Sequence, residues 1–382
     1  MARSAGLTAL LLVMMASAAR AQDLPADELQ VNLNSYFDSF DVTIVYPSIS
    51  YTKRMTDSST INVRYLVDVI SAASMRSHFI VDGVTSATEK EDGGGDNTPD
   101  EVRHELGAGI TQLINGGTLS VNGLFSKEHD YRSVTLAGSF SYPFAQKNTT
   151  LQLGLVRSWD KIFPQIRDWR KEKDVYTASI NLTQVLSKRL IGQLIASYNH
   201  SKGLLSDPYQ VVQLIQNSEP LMLEPVHPNE RTRKAFGVRM NYKIERTSAL
   251  QFGIRYYWDD WAVRSFTTSI SFLQHVSEAT TVGLGFRNYF QSRAFFYKEK
   301  YEQPEEFMTV DSKLDEGFSN QYQFKLVLNG GHFQGIPLLR DENIQLSLKL
   351  NFYHRHTVTP NWHRRAKDLY AYIMSLGVRY RF

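Results

Sequence analysis

Histidine and arginine side chains cluster near the carboxyl terminus of the 382-residue sequence, in the stretch YHRHTVTPNWHRR. His354 and His356 alternate, so they share one face of an extended strand, where two imidazoles can hold a transition metal or lie beside a haem. The rest of the set comprises His363, Arg364 and Arg365. No carboxylate or thiol accompanies them in this stretch, and arginine forks bind phosphate groups well. We therefore interpret the stretch as a basic loop that faces anionic phosphates.

A second group of titratable side chains occupies the stretch EKEDGGGDNTPDE. Its carboxylates are Glu89, Glu91, Asp92, Asp96, Asp100 and Glu101. Carboxylate oxygens are the ligands that Ca²⁺ prefers, but the spacing departs from the D-x-[DN]-x-[DN]-G pattern of dedicated calcium loops. The stretch is more typical of a solvated loop.

Motifs of catalysis and cofactor binding are missing from the sequence. It contains no G-x-S-x-G nucleophile turn, no glycine-rich phosphate loop and no quartet of metal ligands. A triad or an Asp–His pair that forms only in the folded chain stays open, with Asp68 and the outer histidines as the candidates. We predict no catalytic residue, no metal and no cofactor.

Alternation of apolar and polar residues with period 2 is the dominant pattern of the chain. In AFGVRMNYKIE, Phe236, Val238 and Met240 alternate with Gly237 and Arg239. Such stretches predict about sixteen strands and an all-β fold, because no segment has the sustained 3.6-residue period of a helix. The predicted strands lie near 29–37, 40–54, 59–71, 102–114, 117–129, 131–144, 148–160, 173–187, 189–201, 232–245, 248–261, 262–276, 280–292, 319–330, 343–356 and 370–382.

The connections between the predicted strands alternate in length. From the second strand onward, every second connection is a tight turn such as TDSS (56–59) or NGG (115–117), with one long exception at 330–342. The intervening connections are often long: 72–101, 161–172, 202–231, 293–318 and 357–369. This asymmetry predicts a transmembrane antiparallel β-barrel with short periplasmic turns and long extracellular loops. An even strand number then places both termini in the periplasm of a Gram-negative bacterium.

The amino terminus and the composition fit this class. MARSAGLTALLLVMMASAARAQ carries a positive n-region, an apolar core and an A-x-A cleavage signal, so we predict a signal peptide at 1–21 and one barrel domain at 22–382. Loss of Arg3 and Arg20 lowers the formal charge from +3 to +1, which gives no argument for nucleic acid as a partner. No apolar run of the mature chain approaches the roughly 20 residues of a membrane helix.

A closed barrel turns one set of alternating residues toward its interior. About sixteen strands leave a water-filled interior, in which charged side chains keep their hydration. We predict that the pore is lined by Arg64, Asp68, Arg239, Lys243, Arg255, Arg287, Lys349, Arg379 and Arg381. Indole rings favour the membrane interface, and all five tryptophans fall at predicted outer strand ends or in outer loops: Trp159, Trp169, Trp258, Trp261 and Trp362.

The sequence ends on an alternating strand, AYIMSLGVRYRF, whose last residue is aromatic. Termini are usually frayed and polar, whereas a barrel needs its last strand to pair with its first. We predict that 370–382 is the closing strand. Tyr380 and Phe382 resemble the carboxyl-terminal signal that the barrel assembly machinery recognises, so we assign them to an assembly signal.

Two further motifs carry a family resemblance. Small residues recur in VISAAS and VTSAT (69–74 and 84–88), and an E-x-D-Y-x-S run contains Glu128, Asp130, Tyr131 and Ser133. Together with the surrounding segments they resemble a family of Gram-negative outer-membrane proteins, number 3570 among the domains of unknown function. The resemblance covers most of the mature chain. It implies a barrel-like outer-membrane protein and no established activity or site residue.

These observations predict an outer-membrane β-barrel that acts as a porin-like diffusion channel or transport conduit. Two alternatives stay open: a plugged scaffold barrel that serves an exported partner, and a barrel enzyme that acts on lipid or peptide. The expected partners are outer-membrane lipid, lipopolysaccharide and the barrel assembly machinery. Whether the lumen is open or plugged depends on whether loops 72–101, 202–231 or 293–318 fold inward.

Overall fold

The computed structural model describes residues 24–39, 42–71, 101–165, 167–216, 219–333, 335–358 and 367–382. The predicted signal peptide lies outside the described residues. Among them, sixteen strands close an antiparallel barrel and two short strands form a separate hairpin. The strands are β1 (Glu28–Asp38), β2 (Thr43–Thr56), β3 (Ser59–Ser71), β4 (Glu101–Ile114), β5 (Gly117–Lys127), β6 (Tyr131–Phe144), β7 (Thr149–Ile162), β8 (Lys171–Ser187), β9 (Leu190–Gly203), β10 (Val212–Gln216), β11 (Glu219–Leu223), β12 (Glu230–Lys243), β13 (Ser248–Asp259), β14 (Arg264–His275), β15 (Thr280–Gln291), β16 (Gly317–Asn329), β17 (Ile344–Thr357) and β18 (Asp368–Arg381). Within the described part, no helix has the length and apolar character needed to span a membrane.

Neighbours in the barrel wall are also neighbours in the chain, with two exceptions. β9 pairs with β12, because β10 and β11 between them form the separate hairpin. β1 pairs with β18 along its whole length, from Glu28 opposite Arg381 to Asp38 opposite Ala371. The last strand therefore closes the barrel, as the sequence predicts. Closure pairs the strand edges that an open sheet would expose.

The two ends of the barrel differ in their connections. One end, here called the terminal end, carries Glu28 and Arg381 and the short turn at 115–116. Asn115 and Gly116 both have positive φ, 48° and 81°, as a two-residue hairpin of type I′ requires. The opposite end, here called the loop end, carries the connections that join β3 to β4, β9 to β12 and β15 to β16.

Strand alternation sorts side chains between the outer face and the lumen. On β13, Phe252 and Tyr256 are each 44% exposed on the outer face, whereas Arg255 and Tyr257 line an internal cavity. The outer face is thus apolar and the inner face is polar. This is the pattern of a barrel whose outer face meets hydrocarbon and whose inner face is polar.

Aromatic side chains lie on the outer face near both ends of the barrel. Near the loop end, the guanidinium of Arg157 lies over the rings of Trp159 and Tyr176, 4.5 and 4.7 Å from their centroids. Near the terminal end, Phe382 stacks on Tyr51 with 5.8 Å between the ring centroids. Aromatic girdles of this kind sit where a membrane meets water.

Candidate functional site

Cationic side chains dominate the lumen-facing side of β12–β17. These residues, called the basic wall, are Arg231, Arg233, Arg239, Lys243, Arg255, Arg287, Lys325, Lys349 and Arg355. Among the described residues, the one lumen-facing carboxylate of these six strands is Asp259, whose Oδ2 lies 2.6 Å from Nη2 of Arg231. Five of the predicted pore-lining residues belong to the basic wall.

Cross-strand register arranges the basic wall in rows. Arg239 and Arg287 belong to one row. Lys243, Lys325 and Lys349 belong to a second row that lies four residues, or roughly 13 Å, nearer the terminal end. Cations are therefore placed at successive depths of the lumen, beyond the cavity at the loop end.

Most of these cations have no acidic partner. In the described part of the chain, no carboxylate forms a salt bridge with Arg239, Lys243, Arg255, Arg287, Lys325 or Lys349. An unpaired guanidinium or ammonium group is costly to desolvate, so these groups require water around them.

The two cations predicted nearest the carboxyl terminus are paired. Glu28 of β1 lies 3.5 Å from Nε of Arg379 and 3.8 Å from Nε of Arg381. Arg379 also donates to Oε1 of Gln345 at 3.2 Å. These contacts join the first and last strands on the lumen side of the closure.

The lumen-facing charges of β3 and β4 are paired instead of free. Arg103 contacts Asp68 at 2.7 Å and Glu128 at 3.5 Å, and Arg64 forms a salt bridge with Glu105. Asp68, Arg103, Glu105 and Glu128 are each less than 10% exposed. We call these five residues the buried charge network. The predicted pore-lining residues Arg64 and Asp68 thus belong to a network of ion pairs.

A second buried ion pair lies on β7 and β8. Nζ of Lys173 stands 3.2 Å from Oδ2 of Asp160, and the hydroxyls of Ser133 and Ser158 each donate to Oδ1 of Asp160 at 2.7 Å. A Ser-His-Asp relay needs a histidine between hydroxyl and carboxylate. Among the described residues, no histidine hydrogen-bonds to this group. The contacts are those of a buried, fully surrounded carboxylate.

The E-x-D-Y-x-S run connects these two groups. Glu128 belongs to the buried charge network, Ser133 donates to Asp160, and Asp130 accepts a hydrogen bond from the Tyr209 hydroxyl. In the sequence this run marks only a family resemblance. In the structure the run spans the tight connection between β5 and β6, and its Asp130 contacts Tyr209 in the connection between β9 and β12. The sequence feature that could have indicated this structural role is the close spacing of the polar residues of the run at a predicted turn.

Two long connections fold into the loop end of the lumen. We call them the cap, defined as residues 204–216, 219–229 and 292–316. Val226 and Met308 join the two parts by exchanging backbone hydrogen bonds of 2.9 and 2.8 Å. Of the three loops on which an open or plugged lumen depends, two therefore fold inward, and most of the third, 72–100, lies outside the described residues.

The cap has its own apolar cores. One consists of Trp261, Val263, Ala294, Phe296, Tyr297 and Leu314, and the other of Val212, Leu214, Tyr301 and Met308. Trp261 is 2% exposed and its indole donates to the Glu230 carbonyl at 2.9 Å. Trp261 therefore packs against the cap instead of the membrane interface. Trp159 and Trp258 lie on the outer face, and Trp362 lies outside the described residues.

A cavity of about 660 Å³ lies between the cap and the barrel wall. Tyr36 of β1, Lys173 of β8 and Arg255 of β13 line this same space, so the cavity spans the lumen. Arg355 connects wall and cap, since its Nη2 donates to Oγ of Ser312 at 3.2 Å. The cavity is the candidate functional site, because residues of the barrel wall and of the cap line it together at the loop end of the lumen.

Three cap carboxylates face the cavity: Asp207, Asp311 and Asp315. Burial raises the pKa of Asp207. Burial alone would also raise the pKa of Asp311, but the nearby charge of Lys313 and a backbone hydrogen bond lower it overall. Asp311 is therefore a negative charge that faces the basic wall.

His227 is buried in the cap, where its neutral ring forms a hydrogen bond and packs against two aromatic rings. Its Nδ1 donates to the Leu205 carbonyl at 3.0 Å, and its ring packs against Trp261 and Phe296 with centroids 5.4 and 5.3 Å apart. Burial lowers the pKa of His227 from 6.5 to about 4, against the opposing effect of Asp311. The closed cap therefore disfavours the imidazolium.

Acid is expected to loosen the cap. When the cap opens, the pKa of His227 returns toward 6.5, so protonation favours the open form as the pH falls from about 6.5 to about 4. The shift corresponds to roughly 3 kcal/mol. Limited proteolysis of the cap at pH 7, 5.5 and 4 measures it, with His227→Phe as the non-titrating control. Identical pH profiles for the two proteins would contradict the assignment.

Two histidines near the carboxyl terminus, His354 and His356, lie on the outer face of β17. His354 Nε2 and His356 Nδ1 contact Oδ1 of Asp368 at 3.1 and 2.8 Å on the outer face. The carboxylate that is missing from the sequence stretch is therefore supplied by the pairing of β17 with β18. Within the described residues, no group of three or more histidine, cysteine or acidic residues fits a metal ion. Residues 363–365 and the acidic stretch 89–100 lie outside them.

A closed sixteen-stranded antiparallel barrel with an apolar exterior and a charged lumen is an outer-membrane-type β-barrel. The chain belongs to the family described as "Protein of unknown function (DUF3570)", which matches residues 3–325. This confirms the resemblance seen in the sequence. No curated protein matches the chain.

Solved structures that resemble the chain are distant from it in sequence. A bacterial polysaccharide outer membrane secretin is 8% identical with a TM-score of 0.51, covering 94% of this chain and 100% of its own. OmpT of Vibrio cholerae lacking loop L8, an outer membrane protein, is 10% identical with a TM-score of 0.43, covering 94% and 99%. The siderophore receptor PirA from Pseudomonas aeruginosa is 12% identical with a TM-score of 0.43, covering 87% of this chain and 57% of its own. The chain thus spans little more than half the length of that receptor.

Proposed function

We propose that the protein is a porin-like conduit that lets small polar solutes cross the outer membrane. The observation that carries the proposal is the row of Lys243, Lys325 and Lys349 below the cavity, none of which forms a salt bridge with another described residue. Such groups need hydration, so they favour a water-filled lumen that continues from the cavity toward the terminal end. A barrel packed with side chains would pair these charges or replace them.

Liposome swelling tests solute passage directly. We expect purified protein in liposomes to admit a neutral pentose faster than a neutral trisaccharide, because the cap narrows the lumen to a cavity of about 660 Å³. Protein-free liposomes provide the baseline. Absence of swelling with the pentose, from protein that remains folded, would contradict the conduit.

One alternative receives support from a specific observation. The two apolar cores of the cap fill part of the loop end, which also suits a plugged scaffold barrel that serves an exported partner. A scaffold would give no swelling with any solute. We propose no enzymatic role, because the buried hydroxyls of Ser133 and Ser158 donate to a carboxylate that already pairs with Lys173.

We further propose that the loop end faces the cell exterior, in contact with lipopolysaccharide, and that both termini are periplasmic. The chain contains no cysteine, so single cysteines report sidedness cleanly. We expect a membrane-impermeant maleimide to label Glu302→Cys, in the cap, on intact cells and to label Asp57→Cys, in a terminal-end turn, only after lysis. The reverse pattern would overturn the orientation.

Assembly is expected to depend on the last residue. Phe382 stacks on Tyr51 and Tyr380, and Nζ of Lys53 lies 5.1 Å from its ring centroid. We propose that this exposed aromatic terminus is read by the barrel assembly machinery. Deletion of Phe382 should lower the amount of assembled barrel several-fold on heat-modifiability gels of outer membranes.

Phe382→Tyr is the matched control for that deletion, because it keeps an aromatic ring at the end of the chain. It should assemble at close to the normal level. Unchanged assembly after deletion would remove Phe382 from the signal.

A further inference from the structure

Two lysines face each other across neighbouring strands of the basic wall. Lys325 of β16 and Lys349 of β17 are direct partners in the antiparallel register. Like charges placed directly opposite each other destabilise a sheet. Neither lysine forms a salt bridge within the described part of the chain. This pair therefore does not contribute to the stability of the sheet. Residues that break a rule of local stability in this way tend to mark functional positions.

We infer that the lumen selects small anionic solutes that carry a carboxylate or phosphate group, an inference that rests on the proposed conduit function. The cationic rows of the basic wall provide the selectivity. Pores lined by arginine and lysine favour anions and phosphate, as rings of carboxylates favour cations.

The other charges of the lumen leave this preference in place. The buried charge network pairs its carboxylates with Arg64 and Arg103, and Asp160 pairs with Lys173. At the terminal end, Glu28 is shared by two arginines. Asp38, on the same face of β1 as Tyr36, accepts hydrogen bonds from the Tyr36 hydroxyl and the Val42 amide at the loop end. Lumen-facing negative charge of the described residues is thus paired, hydrogen-bonded at the loop end or part of the cap.

The cap carboxylates act at the entrance only. Asp315 lies 3.6 Å from Nη2 of Arg293, and the backbone amide of Lys313 donates to Asp311 at 3.0 Å. Below them, the lumen-facing residues of β12–β17 include no further described carboxylate once Asp259 is paired. An ion that has passed the cap therefore meets an excess of positive charge.

The spacing of the cations makes the field continuous. Arg255 lies opposite Gly237, two residues from Arg239, and the lysine row lies four residues beyond Arg239, so successive cationic rows are separated by roughly 7 and 13 Å along the strands. The Debye length at 0.1 M salt is about 10 Å. The potentials of the two arginine rows therefore overlap and that of the lysine row overlaps them in part, so an anion is stabilised at several positions along the path instead of at one deep site.

The cavity favours oxyanions in particular. Arg255, Arg287 and Arg355 line it together, with the hydroxyls of Ser265 and Ser319. A guanidinium offers a planar fork of donors that matches carboxylate and phosphate oxygens. A solute with such a group can exchange water for these donors at the cavity and then follow the lysine row.

The zero-current potential across a planar bilayer tests this inference. With refolded full-length protein in a tenfold KCl gradient around 0.1 M, we expect chloride to be more permeant than potassium by at least about threefold. Lys325→Gln/Lys349→Gln should lower that permeability ratio at least about twofold while the channels still conduct. Because the variant removes a like-charge pair, it should fold at least as well as the natural protein.

The matched control removes two positive charges from the outer face. Lys161 and Lys202 form exposed pairs with Glu172 and Glu230 at the loop end, at 3.9 and 2.7 Å. Lys161→Gln/Lys202→Gln should leave the permeability ratio unchanged. Equal shifts in the two double variants would mean that charge outside the lumen sets the ratio and would overturn the inference.

Failure of the inference and failure of the conduit can be distinguished. Protein that conducts but prefers potassium, or whose ratio ignores Lys325 and Lys349, overturns anion selection and leaves the conduit standing. Protein that never conducts overturns the conduit itself. Inorganic phosphate serves as a probe of oxyanion binding. It should reduce the chloride current more in the natural protein than in Arg255→Gln/Arg287→Gln. Equal reduction in both would mean that the cavity arginines do not contribute to anion selectivity.

Discussion

Replacement of Arg103 by methionine is expected to lower the free energy of unfolding of the barrel by roughly 3–5 kcal/mol. Arg103 contacts Asp68 at 2.7 Å and Glu128 at 3.5 Å, and both carboxylates are less than 5% exposed. Removal of the guanidinium leaves two buried negative charges without their cation. Methionine keeps most of the side-chain volume, so the loss is electrostatic. Urea unfolding in detergent, followed by tryptophan fluorescence, measures the effect.

A rescue variant separates charge from packing in that experiment. Arg103→Met combined with Asp68→Asn and Glu128→Gln neutralises the stranded carboxylates, so most of the lost stability should return. Replacement of a buried ion cluster by neutral groups is often nearly neutral, whereas removal of one partner is costly. If Arg103→Met unfolds at the urea concentration of the natural protein, the buried charge network has no structural role.

Removal of the first part of the cap is expected to raise single-channel conductance by at least about twofold. Replacing residues 205–227 by a short Gly-Ser linker takes away β10, β11 and the contacts of His227 with Trp261. It also removes Val226, whose backbone pairs with Met308, so the second part of the cap loses its support. The loop end of the lumen is then expected to widen. Conductance steps in a planar bilayer measure the change.

A disulfide lock provides the complementary control. Val226 and Met308 exchange both backbone hydrogen bonds, and such antiparallel partners have Cα atoms about 5.5 Å apart, which suits a disulfide. In this cysteine-free chain, Val226→Cys/Met308→Cys should hold the two parts of the cap together. We expect equal conductance in the oxidised and reduced states, because the proposed path runs through the cavity beside a seated cap. Loss of conductance on oxidation would mean that the cap must open.

The barrel itself follows from the sequence because its determinants are local. Alternation fixes which face of each strand meets water, as in β13, where Phe252 and Arg255 point to opposite faces. Turn residues such as Asn115 and Gly116 fix the hairpins. Sixteen predicted strands and the closing role of β18 are confirmed. The sequence does not predict the hairpin of β10 and β11. Its strands have only five residues each and lie inside 202–231, which the sequence predicts to be a loop.

The site could be predicted only in part, because pairing across the barrel is not local. Periodicity places Arg64 and Asp68 on the inner face. It does not predict that Glu105 and Arg103 on the next strand form salt bridges with them. The cap depends on contacts between segments about 80 residues apart, such as Val226 with Met308. Lys325 shows a third limit, since alternation could have included it in the pore-lining set but only the register reveals its opposition to Lys349.

The conductance of the refolded protein in a planar lipid bilayer tests the central claim most directly. A water-filled lumen lined by cations of β12–β17, six of which form no salt bridge among the described residues, predicts discrete conductance steps at 0.1 M KCl from the natural protein. It also predicts larger steps once residues 205–227 are replaced. Protein that is folded by heat-modifiability and gives no steps, with the cap present or removed, would contradict the account and leave the scaffold alternative.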